Sequence, residues 1–227
     1  VLTDFRTVFD TLLSAYGHQE WWPAEEGAFE VMVGAVLTQN AAWTNVERAI
    51  ANLREAGALD PAAILAAEHE ALAGWIRPSG YFNVKADRLR ALCRWYLDAG
   101  GYPALARWPT GELRAGLLSV KGVGRETADD ILLYAFHRPV FVIDAYTRRI
   151  FTRLGLVTGE EGYEALRETF ESALAGQPEP VALFNEYHAL IVAHGKDICR
   201  PRPRCGECVL AQGCAGPEPG GGAEQGP

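Results

Sequence analysis

No stretch of the 227 residues approaches the run of roughly eighteen apolar side chains that a membrane-spanning helix needs, and the first residues lack a secretory pattern. Both absences predict a cytoplasmic protein without membrane contact. Net positive charge is missing too: 21 Lys and Arg stand against 29 Asp and Glu, a formal net charge of -8. Phosphate neutralisation by Lys and Arg supplies most non-specific affinity for nucleic acid, so a protein that coats it indiscriminately is excluded. No internal repeat is visible. The positive charge that exists is grouped as Arg88, Arg90 and Arg94, then Arg148, Arg149 and Arg153, then Arg200, Arg202 and Arg204. Each set alone reads as a solvated helix face; together, beside the motifs below, they suggest a basic stripe on an acidic body. At 48% hydrophobic and 22% charged residues the chain is globular, with length for one large or two small domains.

The segment Leu117 to Ala128 interrupts two amphipathic patterns with Val120-Lys121-Gly122-Val123-Gly124. Glycines two apart permit positive φ and close backbone approach, which predicts a helix, a tight hairpin and a second helix. The second helix starts with unpaired N–H groups beside small residues, a geometry that suits a phosphate oxygen. A plain αα-hairpin with a glycine stop has the same pattern. The motif L-x-x-x-x-G-V-G-x-x-T-A, followed after about twenty residues by Val142-Ile143-Asp144, resembles the helix-hairpin-helix DNA glycosylases of the endonuclease III superfamily.

Taken in order, Thr3 is expected to cap a helix with Phe5, Val8, Phe9, Leu12, Leu13 and Tyr16 at helical spacing and Gly17 as its stop. Trp21 and Trp22 precede Pro23; they either plug a core or form a stacking wall for an extracted base. An apolar helix from Phe29 to Leu37 ends in Thr38-Gln39-Asn40, and Trp43 opens the next. By itself the Gln39-Asn40 pair is a turn between helices. The resemblance implies that it fills the gap left by an extruded nucleotide, with Asn40 in the matching position. Pro61 to Ile76 reads as one Ala- and Leu-rich helix. Gly80-Tyr81-Phe82-Asn83-Val84-Lys85-Ala86 is similar to the family's G-x-Y-N-x-K-A segment, so Tyr81 is the expected duplex wedge, with burial in the core as the alternative. Thr110 is expected to cap the helix before the hairpin, and Arg125 to Phe136 to form the one after it. Val140 to Ile143 reads as extended chain. Asp144, before Ala145, is either a helix cap or a buried functional carboxylate. Helices over 160–174 and 181–194 follow.

Cys199, Cys205, Cys208 and Cys214 fall within sixteen residues, and Cys93 stands apart as a buried, inert thiol. Four crowded cysteines in a cytoplasmic protein point to metal rather than disulfides. A C-x2-C pair with a cysteine five residues away on either side fits an iron–sulfur loop better than the two close pairs of a zinc site. The resemblance implies a C-terminal [4Fe-4S] loop after His194-Gly195, although the family's first spacing is commonly six. Such a cluster would be structural, presenting Arg200, Arg202 and Arg204 to phosphate.

The resemblance also implies the chemistry. Family members that cleave the strand carry a lysine two residues after the second hairpin glycine, and this chain has Glu126 there. A carboxylate forms no Schiff base, so base removal without strand scission is expected. Asp144 would stabilise the oxocarbenium-like sugar and orient water, with Glu126 as a second carboxylate. Trp21, Trp22 and Trp43 as a wall for a cationic base, together with Glu126, resemble the 3-methyladenine glycosylase branch. Expected DNA contacts are Gln39, Asn40, Tyr81, Gly122, Gly124 and Arg148. The competing expectations are an endonuclease III-type enzyme for damaged pyrimidines and a non-catalytic lesion-binding protein. The implied fold is all-α and two-domain. A six-helix barrel of about residues 27–136 packs against an iron–sulfur domain built from 1–26 and 137–214, with Glu126 and Asp144 facing across the cleft and 215–227 as a disordered tail. The expected partner is double-stranded DNA containing damaged bases, bound by a monomer.

Overall fold

The computed structural model describes residues 4–25 and 27–216, so the expectations for Thr3 and for most of the tail fall outside the described residues. Among the described residues the chain is all-helical with no strand, and no helix is long and apolar enough to cross a membrane. It divides into two compact units, Trp22–Pro139 and Val1–Trp21 with Val140–Pro227.

In the unit Trp22–Pro139 the hub is α2 (Ala28–Leu37), buried from Glu30 to Leu37. Its sequence VMVGAVL is apolar on every face, and a helix without a polar side must be surrounded. Packed directly on it are α3 (Trp43–Glu55), α6 (Phe82–Asp98), α9 (Arg125–Asp130) and the segment Ile131–Ala135 that continues α9. The stretch from Pro61 to Ile76 is two helices rather than one, α4 (Pro61–Ala66) and α5 (His69–Trp75), both packed on α6. At the break, Ala67 turns extended, and the Arg90 guanidinium donates to the carbonyls of Ala67 (2.8 Å) and Leu65 (3.2 Å). Satisfying the carbonyls freed there is what makes the interruption tolerable. After the short α7 (Gly101–Leu105), α8 (Thr110–Ser119) follows Pro109, and Thr110 is its first residue rather than its cap. The helix after the hairpin is also less regular than expected. From Ile131 to Ala135 it widens, and the Phe136 N–H bonds to the Ile131 carbonyl five residues back at 3.2 Å.

The other unit holds α1 (Phe5–Tyr16), α10 (Ala145–Arg153), α11 (Tyr163–Ala173) and α12 (Pro180–Asp197). Asp4 caps α1, accepting from the Thr7 N–H at 2.8 Å. The core is aromatic. Phe170 lies 4.4 Å from Phe141, 4.5 Å from Phe151 and 4.7 Å from Phe5 between ring centroids. Such pairs add about 0.5–1.5 kcal/mol each beyond their buried area. Buried Tyr187 donates its hydroxyl to the Phe5 carbonyl at 2.6 Å. Val140 to Ile143 is non-helical and buried, as its β-branched sequence suggests. Side chains take its backbone donors: Glu171 accepts from the Phe141 N–H (3.0 Å) and Tyr163 from the Ile143 N–H (3.4 Å). The segment is therefore held by side chains at two of its four residues on the way to Asp144.

Candidate functional site

The hairpin joins α8 to α9 through a turn closed by the Val123 N–H on the Val120 carbonyl at 3.0 Å. Gly122 has φ +90, and a Cβ there would sit 2.3 Å from Arg88 Cγ, so any other residue would be strained and would have to displace the Arg88 stem. Gly124 has ordinary φ, is exposed, and would meet nothing within 4 Å. Only the first glycine is dictated by the fold; the second leaves backbone uncovered. Arg114 pins the two helices together, donating to both oxygens of buried Asp129 at 2.7 and 3.1 Å.

Gln39 is spent inside the protein. Its Nε2 donates to the Gly122 carbonyl (3.0 Å) and to Thr127 Oγ1 (2.9 Å), and its Oε1 accepts from Arg88. Asn40 beside it is exposed and left-handed at φ 51, a conformation Asn tolerates better than most residues. Tyr81 is 72% exposed and left-handed at φ 44, which removes core burial as its reading. Lys85 of the same motif is buried. Its Nζ donates to the carbonyls of Leu37 (2.7 Å) and Ser79 (2.6 Å), and burial, followed by the nearby Arg88 charge, pushes its pKa down to about 8.

Trp22 lies against Gly34 of α2, where a Cβ would come within 2.8 Å of its ring. Trp43 meets it edge-on at 5.1 Å, and Tyr134, in the widened turn of α9, lies 5.3 Å from it. Trp21, Trp22 and Trp43 are each half-buried, so the indoles are neither sealed in the core nor free in solvent. Glu126 is exposed in the first turn of α9, next to exposed Arg125, and Lys121 is exposed as well.

Asp144 caps α10. Its Oδ1 accepts from the Thr147 N–H (2.6 Å) and hydroxyl (2.8 Å), and its Oδ2 lies 3.6 Å from Nε2 of buried His188 on α12. The side chain is 11% exposed. Burial alone would raise its pKa, but the contacts from His188 and Thr147 outweigh burial and hold it below the usual carboxylate range. An anion here is stable and can meet a cation brought to it. Thr147 could have been found from sequence, since a residue three after a cap is where capping bonds fall. His188, 44 positions from Asp144, left no local signal.

Cys199, Cys205, Cys208 and Cys214 line one cavity with Arg153, Ile198 and Pro203. Among the described residues, no three His, Cys, Asp or Glu are gathered tightly enough for one metal ion. N–H donors already point at sulfur: Arg153 to Cys199 Sγ and the Gly216 amide to Cys214 Sγ, both at 3.3 Å. An all-thiolate set with N–H groups aimed at sulfur fits an iron–sulfur cluster spread over the cavity.

The basic stripe needs correction, because most of its arginines serve the fold. Arg148 donates to the carbonyls of Gly159 (3.0 Å) and Glu161 (2.7 Å). Arg149 holds Cys199 O and Gly195 O, and Arg153 holds Arg200 O and Pro201 O. Loops without regular structure expose carbonyls that need donors, and a guanidinium supplies several at once. Arg94, Arg200, Arg202 and Arg204 remain exposed.

Residues 33–175 match the sequence profile of the HhH-GPD superfamily of base excision DNA repair proteins. The chain is 45% identical over 210 residues to a candidate DNA repair glycosylase of Methanocaldococcus jannaschii, covering 91% of this chain and 94% of that protein. It is 32% identical over 194 residues to endonuclease III of Thermotoga maritima, 84% of each. The crystal structure of H. pylori 3-methyladenine DNA glycosylase bound to 1,N6-ethenoadenine is similar with a TM-score of 0.75 at 30% identity, over 85% of this chain and 97% of that one. A non-covalent endonuclease III–DNA complex shares the fold, with a TM-score of 0.78 at 23% identity over 92% of both chains.

Proposed function

This chain belongs to the HhH-GPD superfamily of base excision DNA repair proteins and is a DNA glycosylase by that membership, and from there we propose that it is a monofunctional enzyme releasing N-alkylated purines from duplex DNA. The observation that carries the chemistry is the ionised, slightly exposed carboxylate of Asp144. As the bond from sugar to base breaks, positive charge grows on the sugar; a fixed carboxylate stabilises it and orients or deprotonates the attacking water. N-alkylated purines are cationic and leave readily, so little acid assistance is needed. Trp21, Trp22 and Trp43 suit such a base, since a cation over an aromatic face gains roughly 0.5–2 kcal/mol. The likeness to the H. pylori 3-methyladenine glycosylase supports this choice of substrate.

Glu126 supports the absence of strand cleavage. It stands at the position where the strand-cleaving relatives carry a nucleophilic lysine, and a carboxylate cannot form the imine. Lys85, in the separate Gly80–Ala86 segment, is held between two carbonyls and is assigned no chemical part. Exposed Asn40 and Tyr81 are assigned to the space left by the extracted nucleotide and to the duplex wedge, and the hairpin of Gly122 and Gly124, whose backbone is open at Gly124, to phosphate. Gln39 and Arg148 are assigned to support of the hairpin and of the 159–161 loop. The four cysteines are assigned a [4Fe-4S] cluster that fixes the loop bearing Arg200, Arg202 and Arg204. Such a cluster would supply rigidity to that loop, and no step of glycosidic hydrolysis requires an electron. The acting species is assigned as a monomer.

The test is incubation of the purified protein with duplexes that each carry one lesion, scoring free base and strand breaks separately. Release of 3-methyladenine, with strands intact until alkali is added, supports the reading. Release of damaged pyrimidines with spontaneous breaks would replace it with an endonuclease III-type activity. Binding without release of any base would leave a lesion-binding protein.

A further inference from the structure

Lys85 and Arg88 lie one turn apart on α6, and both reach the junction between α2 and α3. Lys85, 1% exposed, holds the carbonyls of Leu37 and Ser79. Arg88 donates to Gln39 Oε1, while its aliphatic stem covers Gly122, and Gln39 passes the connection on to Gly122 O and Thr127 Oγ1. Three separate loops are thus tied to one face of one helix. Leu37 and Gln39 precede Asn40, Ser79 precedes Tyr81, and Gly122 and Thr127 bracket the hairpin.

The backbone gives a second, independent sign. Asn40 and Tyr81 both sit at positive φ, which a bulky aromatic adopts only where its surroundings over-determine it. The carbonyls just upstream of both residues are those that Lys85 clamps. Charged donors bound to carbonyls in a water-poor region are stronger than neutral ones and costly to leave unmade, so the arrangement is stiff.

We infer that Lys85, Arg88 and Gln39 are positioning residues that hold the Asn40 turn, the Tyr81 turn and the Gly122–Gly124 hairpin in one register, so that all three meet a distorted duplex as a preformed unit. The inference rests on the assignment of these turns to DNA contact. Its energetic logic is preorganisation: loops already fixed in the bound geometry lose little freedom on binding.

Arg88 is half-buried and could also touch phosphate itself, so the test relies on Gln39, which carries no charge. Affinity for a duplex with an abasic-site analogue is measured by fluorescence anisotropy for the wild type, Gln39→Met, Arg88→Met, the double variant, Arg88→Lys and Lys85→Met. Hydrogen exchange without DNA is followed in parallel. The expected result is a loss of about tenfold for either Gln39→Met or Arg88→Met and no more than about twofold beyond that for the double variant, since coupled residues are non-additive. Arg88→Lys, which keeps a donor near Gln39, restores most of the affinity. Amides of residues 122–127 exchange faster in Gln39→Met and Arg88→Met, and those of 79–82 in Lys85→Met, while α8 keeps its protection. Additive losses, or unchanged exchange in the hairpin, would overturn the inference. If the wild type fails to bind the duplex, the DNA assignment fails, and the exchange pattern alone decides whether the clamp exists. Should Gln39→Met unfold, Gln39→Glu, which keeps a partner for Arg88 but removes the donor to Gly122, is compared in the same two measurements.

Discussion

His188 Nε2 lies 3.6 Å from Asp144 Oδ2, while Thr147 holds the other oxygen of that carboxylate through two hydrogen bonds. The pair fixes both the rotamer and the charge of Asp144. Its folded pKa is depressed, so the unfolded chain takes up the proton first as pH falls. The stabilisation is fully present above the unfolded value of about 4 and is lost as pH drops through the lower folded value. His188→Gln removes the imidazole that helps to lower the Asp144 pKa and should cost about 0.5–3 kcal/mol at neutral pH, the usual range for a single substitution. Melting curves recorded from neutral to strongly acid pH should show the gap between variant and wild type closing below about pH 4. Parallel curves would mean that His188 does not act through the Asp144 charge.

The two hairpin glycines should respond oppositely to a methyl group. Gly122→Ala forces a Cβ into the Arg88 stem at positive φ, and about 1–3 kcal/mol of stability should be lost. Gly124→Ala meets nothing within 4 Å at an ordinary φ, so its stability should change by less than about 0.5 kcal/mol. If its exposed backbone contacts phosphate, Gly124→Ala should still weaken DNA binding. Denaturant melts alongside binding curves separate the two effects.

Removing the cluster should loosen the C-terminal loop before the helical core. Between Cys199 and Cys214 the loop buries only Cys199 and Leu210, too little apolar surface to order itself without a cross-link. Cys205→Ala should abolish the visible iron–sulfur absorbance and iron content of about four per chain. It should make the loop protease-sensitive while the far-ultraviolet helix signal is largely retained. Full loss of helix on cluster removal would show that the cluster supports the whole unit.

Glu126→Lys should install the missing nucleophile. The side chain is exposed, so the change is compatible with folding. Borohydride should trap a covalent adduct of the variant with damaged DNA and none of the wild type. Trapping of the wild type would show that another amine reaches the sugar.

What the sequence disclosed and what it hid follow a physical division. The glycine hairpin, the extended approach to Asp144 and the cysteine loop are local patterns, legible because backbone freedom and ligand spacing are properties of neighbouring residues. Hidden were the long-range commitments of side chains. Gln39 reaches residues 122 and 127, and His188 reaches back to 144. Arg90, Arg148, Arg149 and Arg153 look solvent-facing on a helical wheel, yet they serve loop carbonyls whose need arises only once the loops are folded. The break after Ala66 was invisible for the same reason, since the donor that tolerates it comes from Arg90.

The central claim is that the Asp144 carboxylate carries the chemistry, and Asp144→Asn tests it most directly. Asn is a good helix cap, so the fold should survive. Single-turnover release of 3-methyladenine should fall by about 10²–10⁴-fold, the range lost with a catalytic acid–base group, while affinity for the same duplex stays within about threefold. Base release at the wild-type rate by a folded Asp144→Asn protein would contradict the account.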